Sequence, residues 1–265
     1  MTTTVYLEAL GLLGPGLCDW PQAAPLLAQG GWQASDVPMP APQRLPAAER
    51  RRAGAVVKLS IAVADQACTA AGCDPLQLAT VFSSSSGDGA NCHALCETLA
   101  GTDRLVSPTR FTNSVHNAPA GYWHIATQSR APSTSLCAHD ASFASGLLEA
   151  AVQVVAWQRP VLLVAADVPY PEPLHAVRPL TAPFGVAMLL APQRGARSLA
   201  ALTPTLAPAS AAVDGCDDAG LEALRVGVPA ARSLPLLQAL ARGGTHTAVL
   251  DHLPGCPLQV DVVAL

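Results

Sequence analysis

The sequence has few charged residues, and lysine is almost missing from it. Only 13% of its 265 residues are charged, the formal net charge is −4, and Lys58 is the one lysine. Nucleic-acid-binding domains carry a basic patch or stripe, and this sequence has no such footprint. Two explanations of the low charge stay open: an Ala-, Leu- and Pro-rich composition, or a surface that another chain covers.

The sequence also lacks a long apolar run that would suit a membrane. Its longest charge-free stretch near the middle, residues 111–129, is rich in Asn, Ser, His, Thr and Gln. The first residues, Met1 to Glu8, contain no basic region typical of a signal peptide. We therefore expect a cytoplasmic protein without a membrane span, and no motif indicates a cofactor.

The cysteines have no secretory signal beside them, which favours reduced thiols. They number eight, at positions 18, 68, 73, 92, 96, 137, 216 and 256. Cys92, His93 and Cys96 suggest a metal site, but no second ligand pair accompanies them. Cys92, Leu95, Cys96 and Leu99 are spaced i, i+3, i+4, i+7, which predicts the core-facing side of a helix and no metal.

Alternating apolar strands and amphipathic helices predict an α/β fold with layered α-β-α packing around a mixed sheet. The predicted strands cover residues 5–13, 78–83, 133–137, 160–167 and 184–191, and the predicted helices cover 46–71, 90–100 and 140–157. The apolar run 160–167 indicates a strand covered on both faces. We place a boundary near residue 195. After it we expect a helix capped by Ser233 and ending at Gly243, then strands at 247–251 and 258–263.

Three segments in fixed order carry a family resemblance. They are Ser107-Pro108 followed by Val115-His116-Asn117 and Gly121, then Arg130 to Ser135, then a helix from Asp140 with the strand Val161–Asp167. Weaker matches are Ser83–Asp88 and Arg178-Pro179. Together they resemble the N-terminal half of the β-ketoacyl synthases, in the thiolase-like superfamily. The resemblance implies a ketosynthase-like half over residues 1–195 and a reduced remnant of the C-terminal half over 196–265.

The sequence differs from that family at the positions that carry the family's catalytic chemistry. The resemblance implies a nucleophilic cysteine eight residues after Pro132, where this sequence has Asp140. Acyl transfer to a condensing enzyme needs a thiolate, and we expect Cys137 to be buried and inert. The family's second half supplies two histidines and a Gly-rich loop. Only about seventy residues remain here, and we expect His246 and His252 to be ordinary side chains.

These departures imply a chain-length factor that forms a heterodimer with an active, full-length ketosynthase and meets acyl carrier protein through that complex. Its half-length form resembles the chain-length-factor-like proteins of aryl polyene pathways. The implied interface is the strand 133–137 with the loop 107–117. The implied pocket and interface residues are Thr109, Arg110, Phe111, His116, Asn117, Ser135, Cys137 and His139. Without the resemblance, Phe111 could instead be a core residue, and Arg110 could be a surface ion-pair partner.

Other interpretations of the same residues stay open. Asp140 could simply cap its helix, because a carboxylate suits free N–H groups at a helix start. His139, which we do not expect to face Asp140, could serve a stand-alone decarboxylase or hydrolase together with Asp140 or Ser142. A scaffold for acidic carrier proteins would use Arg50 to Arg52, which otherwise form a solvated helix face.

Overall fold

A computed structural model describes residues 4–265 of the chain. Residues 1–3, which begin the stretch tested for a signal peptide, lie outside the described residues. The strands are β1 Val5–Leu13, β2 Ala79–Ser83, β3 Ser133–Leu136, β4 Val161–Asp167, β5 Phe184–Ala191, β6 Ala200–Leu206, β7 Thr245–Leu253 and β8 Cys256–Ala264. The helices are α1 Trp20–Gln29, α2 Ala47–Arg52, α3 Ala55–Ala71, α4 Gly89–Ala100, α5 Pro108–Thr112, α6 Ala118–Thr127, α7 Ser142–Trp157, α8 Leu174–Val177, α9 Ala219–Gly227 and α10 Leu234–Arg242. Short 3-10 helices cover Pro75–Gln77, His139–Ala141 and Pro229–Ser233.

The described strands form one mixed sheet in the order β3-β2-β4-β5-β1-β6-β8-β7. β2 runs parallel to β3 and β4, and the remaining neighbours pair antiparallel. Every residue of β4 and β5 is buried, as their continuous apolar sequences predicted. The predicted strands before residue 195 match the observed ones within one residue at each end.

Helices cover both faces of this sheet, which confirms the predicted α-β-α layering. α3 packs on one face with α6, and its buried side chains join those of β4 and β5 in one core. α7, α1 and α10 cover the other face and contribute to a second core. The sheet is thus protected on both sides, which its apolar strands require.

The segment after residue 195 extends the same sheet instead of starting a new one. β6 pairs with β1, and the β7–β8 hairpin continues from β6. β7 and the 3-10 helix Pro229–Ser233 also contact α7. These residues therefore close over the helix that follows Asp140. Their origin as a remnant of a second half stays a prediction.

The predictions for the helix over 46–71 and for the helix after Ser233 need correction. The predicted helix 46–71 is two helices, because Gly54 has an extended backbone and precedes α3 as its N-cap. A Cβ atom on Gly54 would lie 2.1 Å from an oxygen of the Asp88 carboxylate, so a larger residue at this position would displace that side chain. Ser233 precedes α10 as predicted, but its hydroxyl donates to the carbonyl of Ala230 and does not cap the helix.

The predicted core-facing side of α4 was wrong. Cys92, Cys96 and Leu99 are exposed, and Gly89 is the one buried residue of the helix. His93 lies 3.3 Å from Glu97 one turn away, so it is not gathered with the two cysteines. The spacing did identify an amphipathic helix, but spacing does not show what covers the apolar side.

Candidate functional site

Asp140 lies in a tight connection between β3 and α7. The 3-10 helix His139–Ala141 fills this connection, and His139 adopts a left-handed backbone with φ 52°. Ser142 fixes the turn, because its hydroxyl donates to the carbonyl of His139 at 2.7 Å and accepts from the N–H of Ala138. The predicted capping role of Asp140 is wrong, since α7 begins at Ser142 without a side-chain cap.

The carboxylate of Asp140 is instead held between two arginines. Arg178 donates to one oxygen at 2.9 Å, and Arg232 donates to the other at 3.1 Å. His139 Nδ1 lies 3.5 Å from the oxygen that Arg178 binds, so the expectation that these neighbours do not face each other was wrong. Charge-assisted bonds to two guanidinium groups stabilise an ionised carboxylate.

These contacts belong to a ladder of alternating charges. Arg232 also lies 3.2 Å from Asp251 on β7. Arg225 on α9 binds Asp251 at 2.6 Å and Glu222 at 2.7 Å. The hydrogen bonds from Arg225 lower the pKa of Glu222 to about 2. We call this set the ion-pair ladder: Glu222, Arg225, Asp251, Arg232, Asp140 and Arg178.

A cavity of about 380 Å³ opens beside the ladder. His139, Asp140, Arg178, Val226 and Pro229 are among its lining residues. No cysteine lines it within residues 4–265. The hydroxyl of Ser142 is already bonded to the backbone, so it is not paired with a base as a nucleophile would need to be.

The loop after β2 connects several of the residues singled out from the sequence. The Ser84 carbonyl bonds to His116 Nε2 at 3.1 Å, and the Ser85 carbonyl accepts from the thiol of Cys137 at 3.0 Å. This loop therefore brings the end of β3 together with the 107–117 loop. Cys137 is exposed and lies just beyond β3, so the expectation that it is buried was wrong.

A buried carboxylate, Asp167, anchors the same loop from below. One of its oxygens accepts from the hydroxyl of Ser84 and the N–H of Ser85, and the other accepts from the N–H of Ala230 at 2.9 Å. Burial raises the pKa of Asp167, against the opposing effect of these donors. Sequence reasoning assigned Asp167 no such role, although a charge ending an apolar strand was a visible signal.

The 107–117 loop contains the short helix α5, which is anchored by hydrogen bonds and exposes the ring of Phe111. Asn91 donates to the carbonyl of Arg110 at 2.8 Å, and Asn113 donates to the carbonyl of Arg52. Tyr122 donates to Asn113 in turn. The side chain of Phe111 is nevertheless 70% exposed, so its alternative role as a core residue was wrong.

The other interface candidates of this loop are less constrained. Thr109 is half-buried and Asn117 is exposed, without capping α6. Arg110 makes no ion pair in the described part of the chain, which removes its alternative role as an ion-pair partner.

β3 is an edge strand with one free side. Thr80 donates to the carbonyl of Pro132 and Ser84 donates to that of Leu136, so alternate residues of β3 bond to β2. The N–H and C=O groups of Ser133 and Ser135 therefore face away from the sheet. β3 has only four residues, none of them buried.

Comparison with known proteins identifies the family. Residues 20–244 match the family described as "Beta-ketoacyl synthase, N-terminal domain". The chain belongs to the β-ketoacyl synthase N-terminal domain family. This membership confirms the resemblance drawn from residues 107–167. No curated protein matches the sequence.

Solved ketosynthase structures share the fold. A chain described as "Ketosynthase (ApeO) in Complex with its Chain Length Factor (ApeC) from Xenorhabdus doucetiae" superposes with a TM-score of 0.74 at 23% identity, covering 97% of this chain and 99% of that one. A chain of "The ishigamide ketosynthase/chain length factor" gives 0.73 at 15%, with 99% of each covered. A beta-ketoacyl synthase from Burkholderia phymatum STM815 gives 0.68 at 12%, with 100% of each covered. At these identities the likeness is one of fold.

The remaining polar candidates of this β-ketoacyl synthase family member have local roles. His246 bonds to the carbonyl of Gly243, and His252 bonds to that of Cys256, so the two lie in the β7–β8 hairpin region as ordinary side chains. Arg50 donates to Gln43 and to the carbonyl of Leu45, and Arg52 pairs with Glu49.

The described residues contain neither a membrane-spanning helix nor a cluster of metal ligands. No helix within residues 4–265 is long and apolar enough to cross a membrane. In that same range no three His, Cys, Asp or Glu side chains are grouped to hold a metal ion.

Proposed function

We propose that this chain is a non-condensing subunit, a chain-length factor, that pairs with an active ketosynthase and shapes its acyl tunnel. The observation that carries the proposal is Asp140, which stands where the family resemblance puts the nucleophilic cysteine. A carboxylate does not form the exchangeable thioester that condensation needs. Its two oxygens are also engaged by Arg178 and Arg232, so the position serves structure instead of acyl transfer.

The edge of the sheet supports a protein partner. An edge strand with free N–H and C=O groups is a template for pairing with another chain. Exposed apolar side chains occur in the neighbouring segments: Leu105 is 81% exposed, Phe111 70% and Val115 51%. Contiguous exposed apolar surface marks interaction sites in proteins. Two of the similar solved structures are described as ketosynthase and chain length factor assemblies, which agrees with this partner class.

Phe111 is our candidate for the residue that limits the partner's tunnel. Its backbone is fixed by the bonds of Asn91 and Asn113, while its ring is free of the chain's own core. A rigidly held, outward aromatic ring suits insertion into a neighbour's pocket at little entropic cost. Product classes consistent with the family are polyene, polyketide or fatty-acid-type chains, with an aryl polyene-type product as the specific proposal.

Co-expression tests the pairing directly. The untagged chain is produced with each tagged full-length ketosynthase of its source organism, and complexes are isolated by affinity and size-exclusion chromatography. We expect one ketosynthase to retain the chain as a one-to-one complex. Phe111→Glu should weaken this retention, whereas Val263→Glu, exposed on β8 near the opposite end of the sheet, should not. A stable monomer that binds none of them contradicts the proposal.

A further inference from the structure

The C-terminal end of α3 brings two cysteines together. Gly72 has a left-handed backbone, φ 59° and ψ 34°, and its N–H donates to the carbonyl of Thr69. The N–H of Cys73 donates to the carbonyl of Cys68 at 3.1 Å. These two bonds define a Schellman motif, whose first and last positions, here Cys68 and Cys73, frequently pack their side chains together.

The two thiols have different environments. Cys68 is 1% exposed and belongs to the core beneath α3, while Cys73 is half-buried. The guanidinium of Arg197 lies beside this turn, since a Cβ atom on Gly72 would be 3.0 Å from its Nη1. A hydrogen bond from the Cys68 thiol lowers the pKa of Cys73 to about 7, and Arg197 acts in the same direction. The same bond, together with burial, raises the pKa of Cys68.

We propose that Cys68 and Cys73 form a redox dithiol that low-molecular-weight disulfides oxidise. The Cys73 thiolate attacks one sulfur of oxidised glutathione, forming a mixed disulfide and releasing one glutathione thiol. Cys68 then loses its proton and attacks Cys73 Sγ, which closes the Cys68–Cys73 disulfide and releases the second glutathione. Two protein thiols are oxidised and one disulfide is reduced. The proposal is independent of any partner subunit.

The chain contains a natural control pair. Cys92 and Cys96 are both exposed, and both lie on α4, four residues apart. Residues at this spacing have Cβ atoms about 5–6 Å apart on a helix, beyond the roughly 3.5–4.5 Å of a disulfide. Exposure alone therefore favours oxidation of Cys92 and Cys96, whereas closure into an internal disulfide favours Cys68 and Cys73.

Redox titration of the full chain tests the proposal. The protein is equilibrated with graded ratios of reduced to oxidised glutathione, acid-quenched, alkylated and mapped by mass spectrometry. We expect the peptide with Cys68 and Cys73 to lose both alkylation sites together, as an internal disulfide two hydrogens lighter and without glutathione. The peptide with Cys92 and Cys96 should keep alkylated thiols or carry glutathione adducts.

Variants distinguish the two steps. Cys68→Ala should accumulate glutathione on Cys73, because no second thiol resolves the mixed disulfide, and Cys92→Ala should leave the Cys68–Cys73 disulfide unchanged. The proposal is overturned if, at a glutathione ratio that already glutathionylates Cys92, Cys68 and Cys73 of the wild-type chain are both still alkylated. It is also overturned if glutathione persists on Cys73 while Cys68 is intact.

Discussion

Arg232 donates to Asp140 at 3.1 Å, and its second terminal nitrogen lies 3.2 Å from Asp251 on β7. One guanidinium thereby joins the turn after β3 to the hairpin that ends the chain. In the family resemblance this turn holds the nucleophile. Here it holds the central acid of the ion-pair ladder, which connects the two parts of the sequence on either side of residue 195.

Asp140→Ala should lower the stability of the chain. The guanidinium side chains of Arg178 and Arg232 are only 22% and 17% exposed, so removal of Asp140 leaves both without this partner. We expect the free energy of unfolding in urea to fall by about 1–3 kcal/mol. Asp217→Ala is the matched control, because Asp217 is 98% exposed in its pair with Arg242. Equal, negligible effects of the two substitutions contradict the structural role of Asp140.

Ser135→Pro should block partner binding without unfolding the chain. The N–H of Ser135 faces the free side of β3, where proline is tolerated in an edge strand. The neighbouring Thr134 bonds to β2, so Thr134→Pro should instead lower the melting temperature of the isolated chain. We expect Ser135→Pro to keep the melting temperature near wild type and to lose co-purification with the ketosynthase. Retained co-purification argues against strand pairing along β3.

The size of residue 111 should set product length. Phe111→Ala removes the exposed ring and should lengthen the acyl chains made by the complex, while Phe111→Trp should shorten them. Mass spectrometry of carrier-bound products measures the shift. Val263→Ala, an exposed substitution on β8 near the opposite end of the sheet, is the control and should leave the length distribution unchanged. Identical products from all three variants contradict a tunnel role for Phe111.

Asp167 should make stability depend on pH. Burial raises its pKa above 3.8, so between that value and the folded pKa the folded chain binds more protons than the unfolded one. Stability therefore falls as the pH rises through this window, by at most about 1.4 kcal/mol per pH unit. As the pH rises through this window, we expect the free energy of unfolding of the wild-type chain to decline relative to that of the Asp167→Asn variant, because the asparagine side chain does not titrate. Urea unfolding at a series of pH values measures this difference. A difference that stays constant or grows with pH refutes this assignment.

The sequence predicted the sheet well where strands are continuously apolar, as in β4 and β5. It failed where tertiary contacts decide. The extended backbone of Ala53 and Gly54 divides one predicted helix into two, and α4 exposes an apolar side that its spacing assigned to the core. β6 was missed because its Ala-, Thr- and Pro-containing sequence has no strong strand pattern, although β1 supplies its neighbour.

The candidate site was predictable in part. Motif order places Asp140 at the position of the family's nucleophilic cysteine, and that assignment stays a prediction. The partners of Asp140 were not predictable, because Arg178 and Arg232 are 38 and 92 residues away and only the fold brings them together. The partners of Asp167 were not predictable for the same reason, because its hydrogen-bond donors come from Ser84, Ser85 and Ala230.

In the proposed function, this chain contributes no nucleophile to condensation. Its most direct test is product formation by the purified complex with its ketosynthase, assayed on malonyl- and acyl-carrier proteins by mass spectrometry. We predict that replacing the ketosynthase's nucleophilic cysteine abolishes product. Asp140→Ala in a complex that still assembles should leave the rate within about twofold of wild type. Product formed by the isolated chain, or loss of product in an assembled Asp140→Ala complex, contradicts the claim.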